Sequence, residues 1–374
     1  MRTLLLLAAA AALVFAAPAN AVPRPSELRQ DARSLVAAGA PGVIVLVRDG
    51  SRSVRAAAGS ADLTPRTPMR VSDRFRVASI TKTFVAAVVL QLVGEGRPAL
   101  DDTVERWLPG LVPGGAAITV RELLNHTSGL FDYVDDGDDT ILKPYLRGEV
   151  THVTSPRRIV AVATSHPPHF APGTRHRYSN TNYIVLGLVV EAVTGDSLSA
   201  ELGRRIFRPL GLRATSLDAT ASRITGRHAH GYAALGRGGR AVELDVLSSS
   251  LTWAAGALVS TAGDVARFYR ALLQGRLLRP DLLHEMETTV PAGPPGEAYG
   301  LGLFQSRRLD LERTYRLPCA DAVWGHNGSF AGWQASAINS LDGRRQMVVF
   351  INSDTLSARA RRALGHLYAT GFCG

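Results

Sequence analysis

Lysine is almost missing from this chain. Of 42 lysines and arginines only Lys82 and Lys143 are lysines. A solvated surface cation accepts Arg, but a proton acceptor cannot be Arg, whose guanidinium stays charged. Cysteine is scarce too, with only Cys319 and Cys373. Neither lies near the N-terminus, so a lipoprotein anchor there is not expected. No stretch beyond the first residues approaches the length needed to cross a bilayer, so no membrane span is expected. The formal charge is +10 and the pI about 10.2. The arginines are scattered and are not interleaved with aromatics, so nucleic acid is not the expected partner. Attraction to an anionic cell envelope, or solubility, accounts for the charge.

The N-terminus is unlike the rest. After Met1-Arg2, Thr3 to Ala17 is almost wholly apolar, and Ala19-Asn20-Ala21 fits a small-x-small cleavage rule. Residues 1–21 read as a secretory signal peptide, with a secreted product starting at Val22. In an oxidising compartment Cys319 and Cys373 are expected to pair. Closing a loop of about 54 residues that way is worth roughly 4 kcal/mol in the chain-entropy picture.

About 350 remaining residues suggest one large or two intimate domains. A helix is expected over Ser26–Ala38. Strands follow over Gly42–Arg48 and Ser53–Gly59, around an Asp49-Gly50 turn. Thr119-x-x-Glu122 is a capping box opening a short helix over Val120–Asn125. Asp132–Asp139 reads as a solvated acidic loop without the alternating ligands of a calcium loop. A second apolar helix is expected over Tyr183–Val193, stopped by Gly195. Another follows Thr261-x-x-Asp264 to Leu273. The end turns strand-like at Leu301–Gln305, Val323–Gly325, Trp333–Ile338 and Met347–Asn352, with a last helix over Ser357–Tyr368. The fold class is therefore mixed α/β (α+β). An antiparallel sheet built from 22–78 and 250–374 carries an inserted, mostly helical region, 79–249, with the active site at their junction.

The chemistry centres on Arg76–Leu92. Ser79 and Lys82 stand three apart at the head of an apolar run, Phe84 to Leu90, that reads as a buried helix. Residues i and i+3 share a helix face, so hydroxyl and amine point the same way. With two lysines in the chain, the chance expectation for Ser-x-x-Lys is only about 0.1. A buried lysine can be neutral at working pH. Two further elements are candidates to meet this one: Tyr178-Ser179-Asn180 at a loop-to-helix junction, and His326-Asn327-Gly328-Ser329 beside an edge-like strand. Acyl transfer needs a nucleophile, a base and two N–H donors. Ser79 supplies the first, Lys82 or a tyrosinate at Tyr178 the second, and the N–H groups of Ser79 and Ser329 the third. Trp253 and Trp333 lie near these motifs and are candidates to line the cleft. His166, His169, His176, His228 and His230 lack H-E-x-x-H spacing and a clear acidic partner, so neither metal nor cofactor is expected.

The triplet S-x-x-K, Y-S-N and H-N-G resembles the serine penicillin-recognising enzymes, the D-Ala-D-Ala peptidases and serine β-lactamases. F-R-V-A-S-I-T-K-T-F, L-L-N-H-T-S-G-L, Y-G-L-G-L, W-G-H-N-G-S-F-A-G-W and the ending G-F-C-G resemble the secreted actinomycete-type D-alanyl-D-alanine carboxypeptidases. The resemblance implies a β-lactamase/transpeptidase-like fold. It implies acylation of Ser79, protonation control by Lys82, proton shuttling by Tyr178, and Asn180 orienting Lys82 and the substrate amide. It places His326 where many relatives carry Lys, and Asn327, Gly328 and Ser329 beside the substrate. Relatives usually carry Thr where Asn327 stands. Close relatives carry a carboxylate-gripping Arg where Phe304 stands, with Arg307 and Arg308 further along here. The expected activity is removal of the terminal D-Ala from peptidoglycan stem peptides by a monomeric enzyme, with penicillins as covalent inhibitors. A β-lactamase, an esterase of the same fold, and a catalytically silent penicillin-binding protein are the alternatives.

Overall fold

The computed structural model describes residues 22–136, 140–234, 241–307 and 316–374. The expected leader, residues 1–21, lies outside them, as do part of the acidic loop and Arg308. Among the described residues, nine strands form one antiparallel sheet. Its order is Arg66–Pro68, Arg52–Leu63, Gly42–Asp49, Arg345–Ile351, Trp333–Asn339, Val323–Phe330, Phe304–Ser306, Glu297–Tyr299 and Val290–Pro291. The two ends of the chain thus meet in mid-sheet, Val43 opposite Ile351 and Asp49 opposite Arg345.

Gly42–Asp49 is apolar almost throughout because both of its faces are covered. Side chains alternate across a strand. Val43, Val45 and Val47 join Leu28 and Leu35 of the helix Pro25–Ala37 and Leu364 and Leu367 of the helix Ala358–Tyr368. Ile44 and Leu46 belong to the other core, with Phe75, Phe84 and Val88. Pro25 opens the first helix where a missing N–H costs nothing, and the Arg24 N–H donates to the Glu27 carboxylate at 3.1 Å. Cys319 and Cys373 are joined by a disulfide, which fastens the C-terminus to the body.

The segment between the two halves of the sheet is mainly helical, with a small hairpin at Tyr232–Ala234 and Ala241–Glu243. Its centre is the helix Thr81–Gly94, buried at every residue from Thr81 to Leu90. Phe84 stacks on Phe268 with ring centroids 3.5 Å apart. Beside it lies the helix Asn180–Thr194, which starts three residues earlier than the apolar run suggests and stops at Gly195, φ 76°. No single helix among the described residues is long and apolar enough to cross a membrane.

Two expectations need correction. The strand expected over Leu301–Gln305 is confined to Phe304–Ser306. Gly300-Leu301-Gly302 forms a turn pressed on the Thr81–Gly94 helix, where a Cβ on Gly302 would lie 2.4 Å from Ala86 Cβ. The acidic loop is not simply solvated either, because Asp132 and Asp136 are buried.

Candidate active site

Ser79 sits in a single 3-10 turn, Ala78–Ile80, that leads directly into Thr81–Gly94. Ala78 has φ +46°, a conformation L-residues adopt at a cost. Thr81 holds the turn, its hydroxyl donating to Ala78 O at 2.7 Å and accepting from Leu258 N at 3.1 Å.

Lys82 is fully buried in a helix of apolar neighbours. Its Nζ lies 2.8 Å from Asn180 Oδ1, 2.7 Å from the Ala255 carbonyl and 3.0 Å from Ser79 Oγ. The first two partners only accept, so they take both hydrogens of a neutral amine. The remaining lone pair then faces the Ser79 hydroxyl. Burial drives the lysine toward that neutral form, lowering it to about 7 against the opposing charge of Asp132. The rings of Tyr178 and Tyr183 complete the pocket around the amine at 4.9 and 5.6 Å.

Asn180 is held by Asp132. The Asp132 carboxylate accepts from Asn180 N at 3.0 Å and Asn180 Nδ2 at 2.9 Å, which leaves Oδ1 for the lysine. It also meets the positive end of the Asn180–Thr194 helix. Burial raises the Asp132 pKa, against hydrogen bonds from Asn180 and Val134 and the charge of Lys82. Tyr178 shares a hydrogen bond with Ser79, yet burial pushes its phenol well up. Of the two candidate bases, the one ready to accept a proton near neutrality is therefore Lys82.

The third element arrives on the strand Val323–Phe330. The neighbouring strand Phe304–Ser306 pairs with it only as far as Gly325. From His326 onward that edge is therefore open toward Ser79. Gly328 allows the approach: a Cβ there would meet Val77 O at 2.2 Å and Ser79 N at 3.0 Å. Ser79 and Ser329 line the same cleft, with Asn327 and His326 beside them. His326 Nε2 lies 2.8 Å from the Tyr299 hydroxyl, and its Nδ1 faces Asn327 O at 2.5 Å. Burial, helped by the charge of Lys82, lowers His326 to about 3. It is a neutral imidazole at working pH, not the cation that many relatives place there. Asn327 Oδ1 accepts from Ser336 Oγ at 2.9 Å.

The structure thus brings Ser79, Lys82, Tyr178, Asn180, His326, Asn327 and Ser329 together. It places two expected contacts elsewhere. Trp253 is only 3% exposed, and its ring packs on Gly187, where a Cβ would lie 2.8 Å from it. Trp333 is wholly buried against Gly231. Both are core residues rather than cleft walls. Gly328 acts through its missing side chain, not through a contact of its own.

The cleft holds about 530 Å³. Its far wall is apolar, with Val134, Leu142, Leu251, Phe304 and Phe330. None of the described lining residues is Arg or Lys, and Glu297 is the acidic one. Glu297 is buried, accepts from Ser306 Oγ at 2.8 Å, and lies two residues from Tyr299 on the same face of its strand. Arg307 is exposed.

Asp132, Tyr299 and Glu297 escaped the sequence reading. Asp132 opens an acid-rich stretch, and only its flanking Phe131 and Tyr133 set it apart from the acids that follow. The judgement that the histidines lack acidic partners also fails. Asp136 faces His166 at 3.1 Å, and Asp245 faces His228 at 2.7 Å.

A family model described as Beta-lactamase matches residues 28–370. Among solved structures, the fold matches a D-stereospecific amidohydrolase from Streptomyces sp. with a TM-score of 0.83 and 38% identity, over 94% of this chain and 99% of that one. It matches a D-amino acid amidase from Ochrobactrum anthropi SV3, complexed with L-phenylalanine amide, with a TM-score of 0.79 and 27% identity, over 92% and 97%. Among curated proteins it is 28% identical over 338 residues to a D-aminopeptidase of Cereibacter sphaeroides. That match covers 88% of this chain but only 60% of the relative's length.

Proposed function

This chain belongs to the beta-lactamase family of serine hydrolases, and from that membership we propose that it hydrolyses amides and short peptides of apolar D-amino acids bearing a free α-amino group. The observation that carries this reading is the cleft wall. A carboxypeptidase needs a cation to hold the substrate's terminal carboxylate, and the described lining offers none. Phe304 stands where that cation was expected. Instead, the apolar wall suits a side chain such as phenylalanine's. The likeness to the amidohydrolase and the amidase supports the same choice.

In this reading Lys82 takes the Ser79 proton as Oγ attacks the amide carbon. The N–H groups of Ser79 and Ser329 receive the oxyanion. Tyr178, protonated and hydrogen-bonded to Ser79, hands a proton to the leaving amine and regains one from protonated Lys82, so both groups return to their starting forms. Water then releases the D-amino acid from Ser79. Penicillins, as strained amides, acylate the same serine. The enzyme works outside the cytoplasm, a placement supported by the leader-like N-terminus and the Cys319–Cys373 disulfide.

The test is a turnover comparison. D-Phenylalanine amide should be hydrolysed, its L-form and N-acetyl form far less, and Ser79→Ala should be inactive. D-alanine release from a diacylated Lys-D-Ala-D-Ala peptide without amide turnover would restore the carboxypeptidase reading. Turnover of p-nitrophenyl esters alone would make it an esterase.

A further inference from the structure

Away from the cleft, the structure gathers side chains of metal-binding type that the hydrolytic chemistry does not use. His228 and His230 stack with ring centroids 5.0 Å apart. Asp245, just past the Ala241–Glu243 strand, brings Oδ1 to 2.7 Å from His228 Nε2 and 4.0 Å from His230 Nε2. One ligand atom from each residue lies within 4.8 Å of the other two. The side chains are 12%, 23% and 8% exposed, so the cluster is partly open to solvent.

The orientation of the rings is the informative part. His228 Nδ1 donates to Gly226 O at 2.7 Å, and His230 Nδ1 to Glu243 Oε1 at 2.9 Å. Each ring has its Nδ1–H engaged by an oxygen, which leaves the two Nε2 atoms near one carboxylate oxygen, that of His228 sharing a proton with it at 2.7 Å and that of His230 4.0 Å away. Pinning the far nitrogen is how a protein presents imidazole to a metal ion. Lone pairs directed at a carboxylate repel it unless a cation sits between. A proton bridges only the shorter contact, because 4.0 Å is beyond hydrogen-bond reach. Arg223 already donates to Asp245 Oδ2 at 3.1 Å, which leaves Oδ1 as the oxygen facing the two rings.

We infer that His228 Nε2, His230 Nε2 and Asp245 Oδ1 bind one divalent transition-metal ion of the zinc class, with a fourth position open to water. Tetrahedral ligation at zinc distances sets neighbouring donors roughly 3.3 Å apart. The present spacings of 2.7 and 4.0 Å bracket that value. Any proton shared by His228 and Asp245 leaves to solvent as the ion enters. The ion ties the hairpin to the segment His228–His230. Tyr232 already fastens the same hairpin to the sheet, accepting from Leu63 N at 2.7 Å.

The test is titration of the chelator-treated full chain with zinc chloride, followed by calorimetry and thermal melting. Wild type should take up one Zn²⁺ per chain, and its Tm should rise by roughly 2–4 °C. Co²⁺ at the same site should give the visible absorption of a four-coordinate ion. His228→Ala and His230→Gln should each weaken binding at least ~100-fold. Asp245→Asn serves as a third variant, with circular dichroism checking the fold of each. Absence of saturable binding in wild type up to ~1 mM zinc, or equal binding in natively folded variants, overturns the proposal and leaves His228 and Asp245 as an ion pair only.

Discussion

Asp132 takes two hydrogen bonds from Asn180, from its backbone at 3.0 Å and from its side-chain amide at 2.9 Å. The pair fixes which way the Asn180 amide faces, and so which atom meets Lys82. Asp132→Asn puts a second amide opposite the first and removes a charge that favours protonated Lys82. The expected result is a fall in kcat/KM of roughly 10–100-fold with little change in KM. The pH at which activity rises should also move lower, because loss of the carboxylate lowers Lys82 further. An unmoved profile would confine Asp132 to helix capping.

Lys82 held near 7 by burial predicts a pH profile of its own. Acylation requires the neutral amine, so kcat/KM should climb as pH rises through about 7 and level off above it. Lys82→Arg keeps the charge and cannot take the proton. Labelling of Ser79 by a fluorescent penicillin should drop at least ~1,000-fold in a variant that still folds. Normal labelling would assign the base to Tyr178.

Gly328→Ala is a packing test. Its Cβ would be 2.2 Å from Val77 O, so the strand has to retreat from the Ser79 turn. Moving an oxyanion donor by a fraction of an ångström should cost about 100-fold in kcat. The loss of Tm should be small beside that of Gly325→Ala, whose Cβ would fall 1.8 Å from Ala337 O between two paired strands.

His326 predicts acid sensitivity. Its pKa is about 3 when folded, lowered by burial first, and the ordinary imidazole value when unfolded. Between those values the unfolded chain binds a proton that the folded chain refuses. Stability is therefore complete above about 6.5 and declines as pH falls toward 3. By pH 5 this one group removes roughly 2 kcal/mol. Urea midpoints at pH 7 and pH 5 should differ accordingly, and His326→Gln should narrow the gap. An unchanged gap would assign the sensitivity elsewhere, His126 being the other buried imidazole here.

Sequence made the Ser79–Lys82 pair legible because a single helix face fixes i and i+3 whatever the tertiary context. The mid-sheet strand Gly42–Asp49 was legible for a related reason, since burial on both faces leaves an unbroken apolar run. Capping at Thr119 and Glu122 also occurs as the spacing indicates, with both reciprocal bonds present. What could not be read were placements that depend on a distant partner. Asp132 looks like any loop acid until Asn180, 48 positions on, arrives to use it. Trp253 lies close in sequence to the cleft residues Leu251 and Ala255 but packs on Gly187. The histidines at 228 and 230 seemed to lack an acid because Asp245 comes from the far side of a hairpin.

Arg345 and Asp49 face each other 296 positions apart in the chain. The first strand meets its mid-sheet neighbour only by closing that long intervening stretch, a slow step for any polypeptide. A nascent chain that halts before the Arg345–Ile351 strand has its serine, lysine and tyrosine but no framework to gather them. A premature stop codon ahead of that strand therefore yields no hydrolase at all, rather than a feebler one.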